Sequence, residues 1–171
     1  MSDPTLLEPV EIAPTSAARA SVIWLHGLGA DGHDFPPIVA ELGLPAAADI
    51  RWIFPHAEVR PVTITMGMSL RAWYDLEMLD TARHYPDADI LRSTEQIEAL
   101  IAREVASGVP SENIVLAGFS QGGAIALHAA LRHEAPLAGG VALSTYLVRG
   151  DELEDERSDA NEDIPVFFAH G

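Results

Sequence analysis

The most informative short segment of the sequence centres on a serine flanked by glycines. Gly118-Phe119-Ser120-Gln121-Gly122 matches the pattern G-x-S-x-G. The apolar run Ile114 to Ala117 before it predicts a strand, and the alanine-rich run Gly122 to Arg132 after it predicts a helix. A serine on a sharp strand-to-helix turn is lifted above the strand ends, where its hydroxyl can attack an acyl carbonyl. The context predicts that Ser120 is a nucleophile, and a solvated serine on an ordinary glycine-rich turn is the alternative.

A second glycine-rich segment, His26-Gly27-Leu28-Gly29, follows the apolar run Ser21 to Leu25, which reads as a buried strand. In hydrolases built around such a serine turn, the loop after this strand supplies one oxyanion-binding N–H and the residue after the nucleophile supplies the other. Those donors would be Leu28 and Gln121. Loss of one such donor typically costs ~3 kcal/mol of transition-state stabilisation. We interpret His26 as an organiser of the loop rather than a general base, and expect His26, Gly27 and Gly29 to border the substrate.

The same loop also supports a rival interpretation. Gly27 and Gly29, together with Gly32, spell G-x-G-x-x-G, which is typical of a dinucleotide-binding turn in an oxidoreductase. That interpretation requires an acidic residue near the end of the next strand to hold a ribose. The next predicted strand, Arg51 to Phe54, is followed by proline and histidine. The rival also leaves the Ser120 motif unexplained, so we favour the hydrolase.

The remaining elements must position these two segments. Strands alternate with helices along the chain, which predicts an α/β fold with a mainly parallel sheet and helices on both faces. Three helices are predicted: one capped by Asp34 and stopped by Gly43, one opened by a capping box at Ser93 and ended by Gly108, and the one after Ser120. The predicted strands are Leu6 to Ile12, Ser21 to Leu25, Arg51 to Phe54, Ile114 to Ala117, Gly140 to Ser144 and Ile164 to Ala169.

Other segments bear on the organisation of the chain. Residues 56–90 have no strong periodicity and make a long connection, which is typical of functional or partly structured segments. No internal repeat or linker divides the sequence, so we predict a single domain over residues 1–171. Residues 151–163 hold eight acidic residues and one arginine and are interpreted as a solvated loop, because they lack the ligand pattern of a calcium-binding loop.

Composition excludes several kinds of protein. There is no cysteine, which removes disulfides, a cysteine nucleophile and cysteine-based metal sites. The formal net charge is −16 and every basic residue other than histidine is arginine, so the surface repels nucleic acid and anionic lipid headgroups. No segment is long and apolar enough for stable membrane insertion, and the N-terminus has no signal-peptide pattern. We expect a cytoplasmic protein without a metal or other cofactor, and no oligomeric state is predicted.

With both motifs established, the sequence resembles the phospholipase/carboxylesterase family, which includes acyl-protein thioesterases and small bacterial carboxylesterases. The resemblance extends over nearly the whole chain and implies the α/β-hydrolase fold. It also implies that Trp73 and Tyr74 line an acyl pocket, with core packing as the alternative. The segments that carry it are Val22 to Gly29 with Asp31-Gly32 and Asp34-Phe35, Arg60 to Thr63, Arg71 to Asp75, Leu116 to Gly123 and Leu143 to Leu147.

The sequence departs from the family pattern at its end. In the family, a His-Gly motif is followed by the triad aspartate and later by the triad histidine, whereas this sequence ends at His170-Gly171. The resemblance therefore implies a hydrolase fold lacking its last strand and helix. Asp163 and His170 occur in the chain order of a triad. However, Asp163 precedes the last predicted strand, which should place it at the far end of the sheet from Ser120.

These observations predict a serine hydrolase that cleaves a carboxylic ester or thioester through an acyl-enzyme on Ser120. Its partner would be a small-molecule ester or thioester. We expect residues 1–171 to be nearly inactive, because the base that should activate the serine is absent. The alternatives are a non-catalytic fragment that binds an acyl ligand or a partner, and the dinucleotide-binding oxidoreductase.

Overall fold

A six-stranded sheet forms the centre of the computed structural model, which describes residues 6–77 and 85–171. Its strands are β1 (Pro9–Ile12), β2 (Ala20–Leu25), β3 (Ile50–Pro55), β6 (Ile114–Phe119), β7 (Gly139–Leu143) and β8 (Val166–Ala169). A separate hairpin consists of β4 (Val59–Val62) and β5 (Met68–Arg71), and the helices are α1 (Ile38–Glu41), α2 (Asp87–Ala106), α3 (Gln121–Arg132) and α4 (Leu153–Glu156). The strands of the sheet lie in the order β1-β3-β2-β6-β7-β8, and all neighbours are parallel except β1 and β3. The predicted mainly parallel sheet is confirmed.

The strand order places the two glycine-rich segments side by side. β2 and β6 are adjacent parallel strands, and Leu25 pairs with Gly118 in their register. The carboxyl ends of adjacent parallel strands meet at the same edge of a sheet. The loop that begins at His26 and the turn at Ser120 therefore start from neighbouring points on this edge.

One face of the sheet is covered by α2 and α3. Both helices present aliphatic side chains to it, as amphipathic helices do. Fully buried leucine and isoleucine side chains from strands and helices form the largest hydrophobic cluster. The members from β2 and β6 include Ile23 and Leu116, and those from α2 include Ile97, Leu100 and Ile101.

The opposite face is covered differently from the prediction. Trp24, Trp52 and Phe54 lie on it, and Trp24 stacks on Phe35 with ring centroids 5.0 Å apart. The helix predicted from Asp34 forms only the single turn α1, whose N-cap is Pro37. Ile38 and Leu42 of this segment are exposed, so they do not cover the sheet.

The start of α2 is the clearest correction to the predicted elements. Ser93 does not cap the helix, because α2 begins six residues earlier, at Asp87, directly after Pro86. Ser93 is buried inside the helix and its hydroxyl donates to the carbonyl oxygen of Trp73. The predicted end is confirmed, since α2 stops at Ala106 and Gly108 follows with a φ of 103°. No helix among the described residues has the length and apolarity needed to cross a bilayer.

The hairpin of β4 and β5 was not predicted, because its strands lack an alternating pattern. Its turn passes through Met66 and Gly67, both with positive φ. Asp75 fixes one end of the hairpin by accepting hydrogen bonds from the backbone N–H and the hydroxyl of Thr63, at 2.8 and 2.6 Å. The other end is joined to the glycine-rich loop, because the N–H of Gly29 donates to the carbonyl oxygen of Arg71 at 2.9 Å. The hairpin thus lies beside the loop that follows β2.

Candidate active site

Ser120 occupies the one-residue turn between β6 and α3. Its φ of 51° and ψ of −118° lie in a region of backbone angles that residues other than glycine rarely adopt, so the backbone is strained there. Neighbouring elements hold both ends of the residue. The N–H of Ser120 donates to the carbonyl oxygen of Leu143 at 2.9 Å, and its own carbonyl accepts from Ala124 and from the Thr145 hydroxyl. The side chain is partly exposed at the carboxyl edge of the sheet.

The glycines around Ser120 are required by close backbone contact. A Cβ on Gly118 would lie 2.5 Å from backbone atoms of Gly122, so the turn could not close. A Cβ on Gly122 would overlap the carbonyl oxygen of His26 and lie 2.5 Å from that of Leu25. The serine turn is therefore packed directly against the end of β2 and the start of the glycine-rich loop.

The backbone N–H groups of Leu28 and Gln121 are the predicted oxyanion donors. In the described part of the chain, neither Leu28 nor Gln121 donates its backbone N–H to another protein group. Gln121 is the first residue of α3, where a helical N–H has no partner within the helix and the dipole is positive. Leu28 follows Gly27, on which a Cβ would lie 3.1 Å from the ring of Phe119, next to the serine. Both N–H groups thus belong to segments in direct contact at the nucleophile turn.

His26 is held as a neutral imidazole inside the glycine-rich loop. Its Nε2 accepts the backbone N–H of Ala57 at 3.0 Å, so the proton lies on Nδ1, which donates to the carbonyl oxygen of Gly27 at 2.7 Å. Burial lowers the pKa of the ring below its ordinary value. With both nitrogens engaged and the ring almost fully buried, His26 organises the loop.

Trp73 and Gln121 connect the loop to the serine turn. The indole N–H of Trp73 donates to the carbonyl oxygen of His26, and its backbone N–H donates to the side-chain Oε1 of Gln121, both at 2.8 Å. The side-chain nitrogen of Gln121 donates to the carbonyl oxygen of Tyr74, also at 2.8 Å. The Trp73 side chain is 0% exposed, so its placement is that of the core-packing alternative. Sequence reasoning missed this network, because its members are separated by about fifty residues.

Comparison with known proteins supplies the family to which this geometry belongs. Residues 8–171 match the family model described as Phospholipase/Carboxylesterase. The chain belongs to this family. The α/β-hydrolase fold predicted from the resemblance is confirmed, as its structural neighbours are α/β-hydrolases.

Individual relatives agree with the family assignment. The chain is 40% identical to acyl-protein thioesterase 1 of Cryptococcus neoformans over 171 residues, covering 98% of this chain and 71% of the relative. It is 36% identical to acyl-protein thioesterase 1 of Neurospora crassa, covering 95% and 70%. Among solved structures it is similar to Arabidopsis thaliana SOBER1, with 29% identity and a TM-score of 0.84 over 90% of this chain and 74% of that one. It is also similar to Zea mays acyl-protein thioesterase 2, with 29% identity and a TM-score of 0.73 over 96% and 75%.

The dinucleotide-binding alternative is wrong for this member of the phospholipase/carboxylesterase family. In a dinucleotide-binding turn, the glycines open a helix whose N-terminus holds the pyrophosphate. Here the residues after β2 run through a long loop and reach only the single helical turn α1. A glycine is required at position 32 by close packing, because a Cβ there would overlap the carbonyl oxygen of Phe54. The glycines allow this loop to pack against neighbouring backbone.

Asp31 and His33 of the same loop and His56 after β3 form a group of potential metal ligands that sequence spacing did not indicate. Ligand atoms of Asp31, His33 and His56 all lie within 4.8 Å of one another. The Nδ1 of His56 accepts the backbone N–H of Gly32 at 2.9 Å, which leaves the proton of the neutral ring on Nε2. A cation could bind His56 only if that hydrogen bond were broken. The hydrogen bond from Gly32 to His56 joins the glycine-rich loop to the segment after β3.

Asp163 and His170 are the residues considered as triad substitutes. Asp163 precedes β8, so it lies at the opposite edge of the sheet from Ser120. His170 follows β8, which is separated from β6 by β7. Among the described residues, no imidazole or carboxylate hydrogen-bonds to the Ser120 hydroxyl.

Proposed function

We propose that the protein hydrolyses carboxylic esters or thioesters through a covalent acyl-enzyme on Ser120. The observation that carries the proposal is the strained turn of Ser120, adjoined by the uncommitted N–H groups of Leu28 and Gln121. A nucleophile beside preorganised donors is the arrangement that acyl transfer requires. Membership of the phospholipase/carboxylesterase family supports the same reaction.

In the proposed reaction, Ser120 Oγ forms a bond to the acyl carbon while its proton passes to a general base. The carbonyl oxygen becomes an oxyanion, which the N–H groups of Leu28 and Gln121 stabilise. Collapse of this intermediate breaks the bond to the leaving group, which takes up the proton and departs as an alcohol or thiol. Water then adds to the acyl-enzyme, releases the carboxylic acid and restores the serine.

The substrate is proposed to lie across the glycine-rich loop. Leu28 is partly exposed, and both Leu28 and Leu70 of β5 belong to a hydrophobic cluster beside this loop. An acyl chain placed on these side chains would bring its carbonyl toward His26, Gly27 and Gly29. The relatives named acyl-protein thioesterases support a thioester as the leaving bond. We therefore propose a small-molecule ester or a thioester-linked acyl chain as the substrate class.

We further propose that residues 1–171 alone turn over slowly. No described imidazole hydrogen-bonds to the Ser120 hydroxyl, and a serine without a base is a poor nucleophile at neutral pH. Loss of the base alone can reduce kcat by about 10⁶-fold. The oxyanion donors would still bind an acyl ligand, as the non-catalytic alternative requires.

A chimera separates these proposals. Residues 1–171 would be extended with the C-terminal segment of the Cryptococcus neoformans relative, where the family resemblance implies a triad aspartate and histidine. We expect the chimera to hydrolyse 4-nitrophenyl butyrate and the thioester palmitoyl-coenzyme A at least 10³-fold faster than residues 1–171 alone, and Ser120→Ala to abolish the gain. Equal rates for the two chains would show that a base exists within residues 1–171, and His170→Gln would be the first variant to make. A folded chimera without turnover would contradict the hydrolase.

A further inference from the structure

Trp73 makes two hydrogen bonds that point in different directions. Its indole N–H reaches the carbonyl oxygen of His26 and its backbone N–H reaches the side chain of Gln121, each at 2.8 Å. The first link therefore ends two residues before Leu28, and the second ends on Gln121 itself. Leu28 and Gln121 are the two residues whose N–H groups are assigned to the oxyanion.

We propose that Trp73 is a positioning residue that fixes both oxyanion-binding N–H groups of the active site relative to each other. This inference rests on the proposed function, because it assigns Trp73 to the same site. Trp73 does not contact the substrate, since its side chain is fully buried. It acts through His26 on one side and through Gln121 on the other.

The surroundings of Trp73 hold it in place. Its carbonyl oxygen accepts the buried hydroxyl of Ser93 from α2, and its ring packs on that of His26 with centroids 5.3 Å apart. The next residue, Tyr74, accepts from the side chain of Gln121 at 2.8 Å. Three elements therefore fix the position of Trp73: α2, the glycine-rich loop and the first turn of α3.

The geometry gives Trp73 a specific effect on catalysis. Oxyanion donors act on charge that develops only in the transition state, so their displacement lowers kcat and leaves KM nearly unchanged. A shift of about 1 Å in a preorganised group can cost about 10²-fold in rate. A residue that merely filled the core would lower stability without this selective effect on kcat.

The chain offers a matched control at Trp24. This tryptophan is also buried, at 6% exposure, but it lies on the opposite face of the sheet. Its indole N–H has no hydrogen-bond partner among the described residues. Trp24→Phe therefore removes the same atoms as Trp73→Phe without breaking a hydrogen bond.

The test combines spectroscopy of the 171-residue chain with kinetics of the chimera. In ¹H–¹⁵N spectra, Trp73→Phe removes the indole link to His26 and should shift the amide resonance of Leu28, and Trp24→Phe should leave it in place. In the chimera, Trp73→Phe should lower kcat for 4-nitrophenyl butyrate about 10- to 100-fold with KM unchanged, whereas Trp24→Phe should stay within about twofold. If Trp73→Phe fails to fold, Gln121→Met removes the second link, keeps the backbone N–H and should lower kcat in the same range.

The outcomes distinguish this inference from the proposed function. An unchanged Leu28 resonance and equal kcat for the two tryptophan variants, in a chimera acylated at Ser120, would overturn the role of Trp73 and leave the hydrolase intact. A shifted Leu28 resonance in a chain whose chimera never reacts at Ser120 would uphold the link between the two segments and overturn the hydrolase. Parallel losses of kcat and unfolding temperature in both variants would show that Trp73 only fills the core.

Discussion

Gly122 lies so close to His26 that a Cβ on the glycine would overlap the carbonyl oxygen of the histidine. This contact joins the nucleophile turn to the glycine-rich loop, and it leads to a first prediction. Gly122→Ala must push two backbone segments apart, so we expect a loss of about 2–3 kcal/mol in the free energy of unfolding. Chemical denaturation measures the loss. Gly140→Ala is the control, because its added Cβ would make only ordinary contacts of 3.6 Å with Val166. A similar loss in both variants would contradict this account.

The strain at Ser120 leads to a second prediction. Its positive φ costs a side-chain-bearing residue on the order of 1–3 kcal/mol, and glycine accepts such angles more readily. We therefore expect Ser120→Gly to be more stable than Ser120→Ala by about 1 kcal/mol, although both lack the nucleophile. Thermal unfolding of the two variants provides the comparison. An alanine variant as stable as the glycine variant would mean that the turn is not strained.

A third prediction concerns acid sensitivity. His128 is buried beneath α2, its Nδ1 contacts the Thr94 hydroxyl at 2.9 Å, and burial lowers its pKa to about 4. The unfolded ring takes up a proton near pH 6.5, whereas the folded ring stays neutral. The contribution of His128 to the free energy of unfolding is therefore fully present above pH 6.5. It should fall by about 3 kcal/mol as the pH drops to 4.

His128→Leu provides the control for this pH dependence. Carboxylates such as Glu58 and Asp75, whose pKa values are lowered by hydrogen bonds, also lose their stabilising effect as the pH falls, and they remain in the variant. The difference in unfolding free energy between the two proteins isolates the histidine. That difference should favour the natural protein more at pH 7 than at pH 4.5, and a constant difference would rule out this role for His128.

A fourth prediction concerns the buried carboxylate of Glu104 at the opposite edge of the sheet. Its Oε2 accepts from the Ser21 hydroxyl at 2.6 Å and from Arg51 at 3.0 Å, and its Oε1 accepts from Arg103. Glu104→Gln leaves these donors poorly matched, so we expect a loss of about 2–4 kcal/mol in unfolding free energy. Glu95→Gln, on the exposed side of the same helix, should change stability by less than about 0.5 kcal/mol. Equal losses would contradict the role of Glu104.

The serine turn could be predicted from the sequence because its requirements are local. Gly118, Ser120 and Gly122 lie within five residues, and the strand and helix that flank them have strong patterns. The start of α2 was missed because Ser93 and Gln96 match a capping box. However, Pro86 and the acidic residue after it supply the actual start.

The contacts that position the donors could not be predicted, because they join distant parts of the chain. Nothing near Trp73 in the sequence indicates that its indole N–H donates to His26 or that its backbone N–H donates to the side chain of Gln121. The resemblance instead implied a place for Trp73 in an acyl pocket. Only the adjacency of β2 and β6, together with the hairpin, brings these residues together.

The most direct test of the central claim is the site of covalent reaction. The chimera would be treated with a fluorophosphonate, and the modified peptide would be identified by tandem mass spectrometry. Because the 171-residue chain has arginine but no lysine, trypsin releases Ser120 in the peptide of residues 104–132, which also contains Ser107 and Ser111 as internal controls. We predict a single adduct on Ser120 and none in the Ser120→Ala chimera. A folded, catalytically active chimera that is modified at another residue, or not at all, would contradict the assignment of Ser120 as the nucleophile.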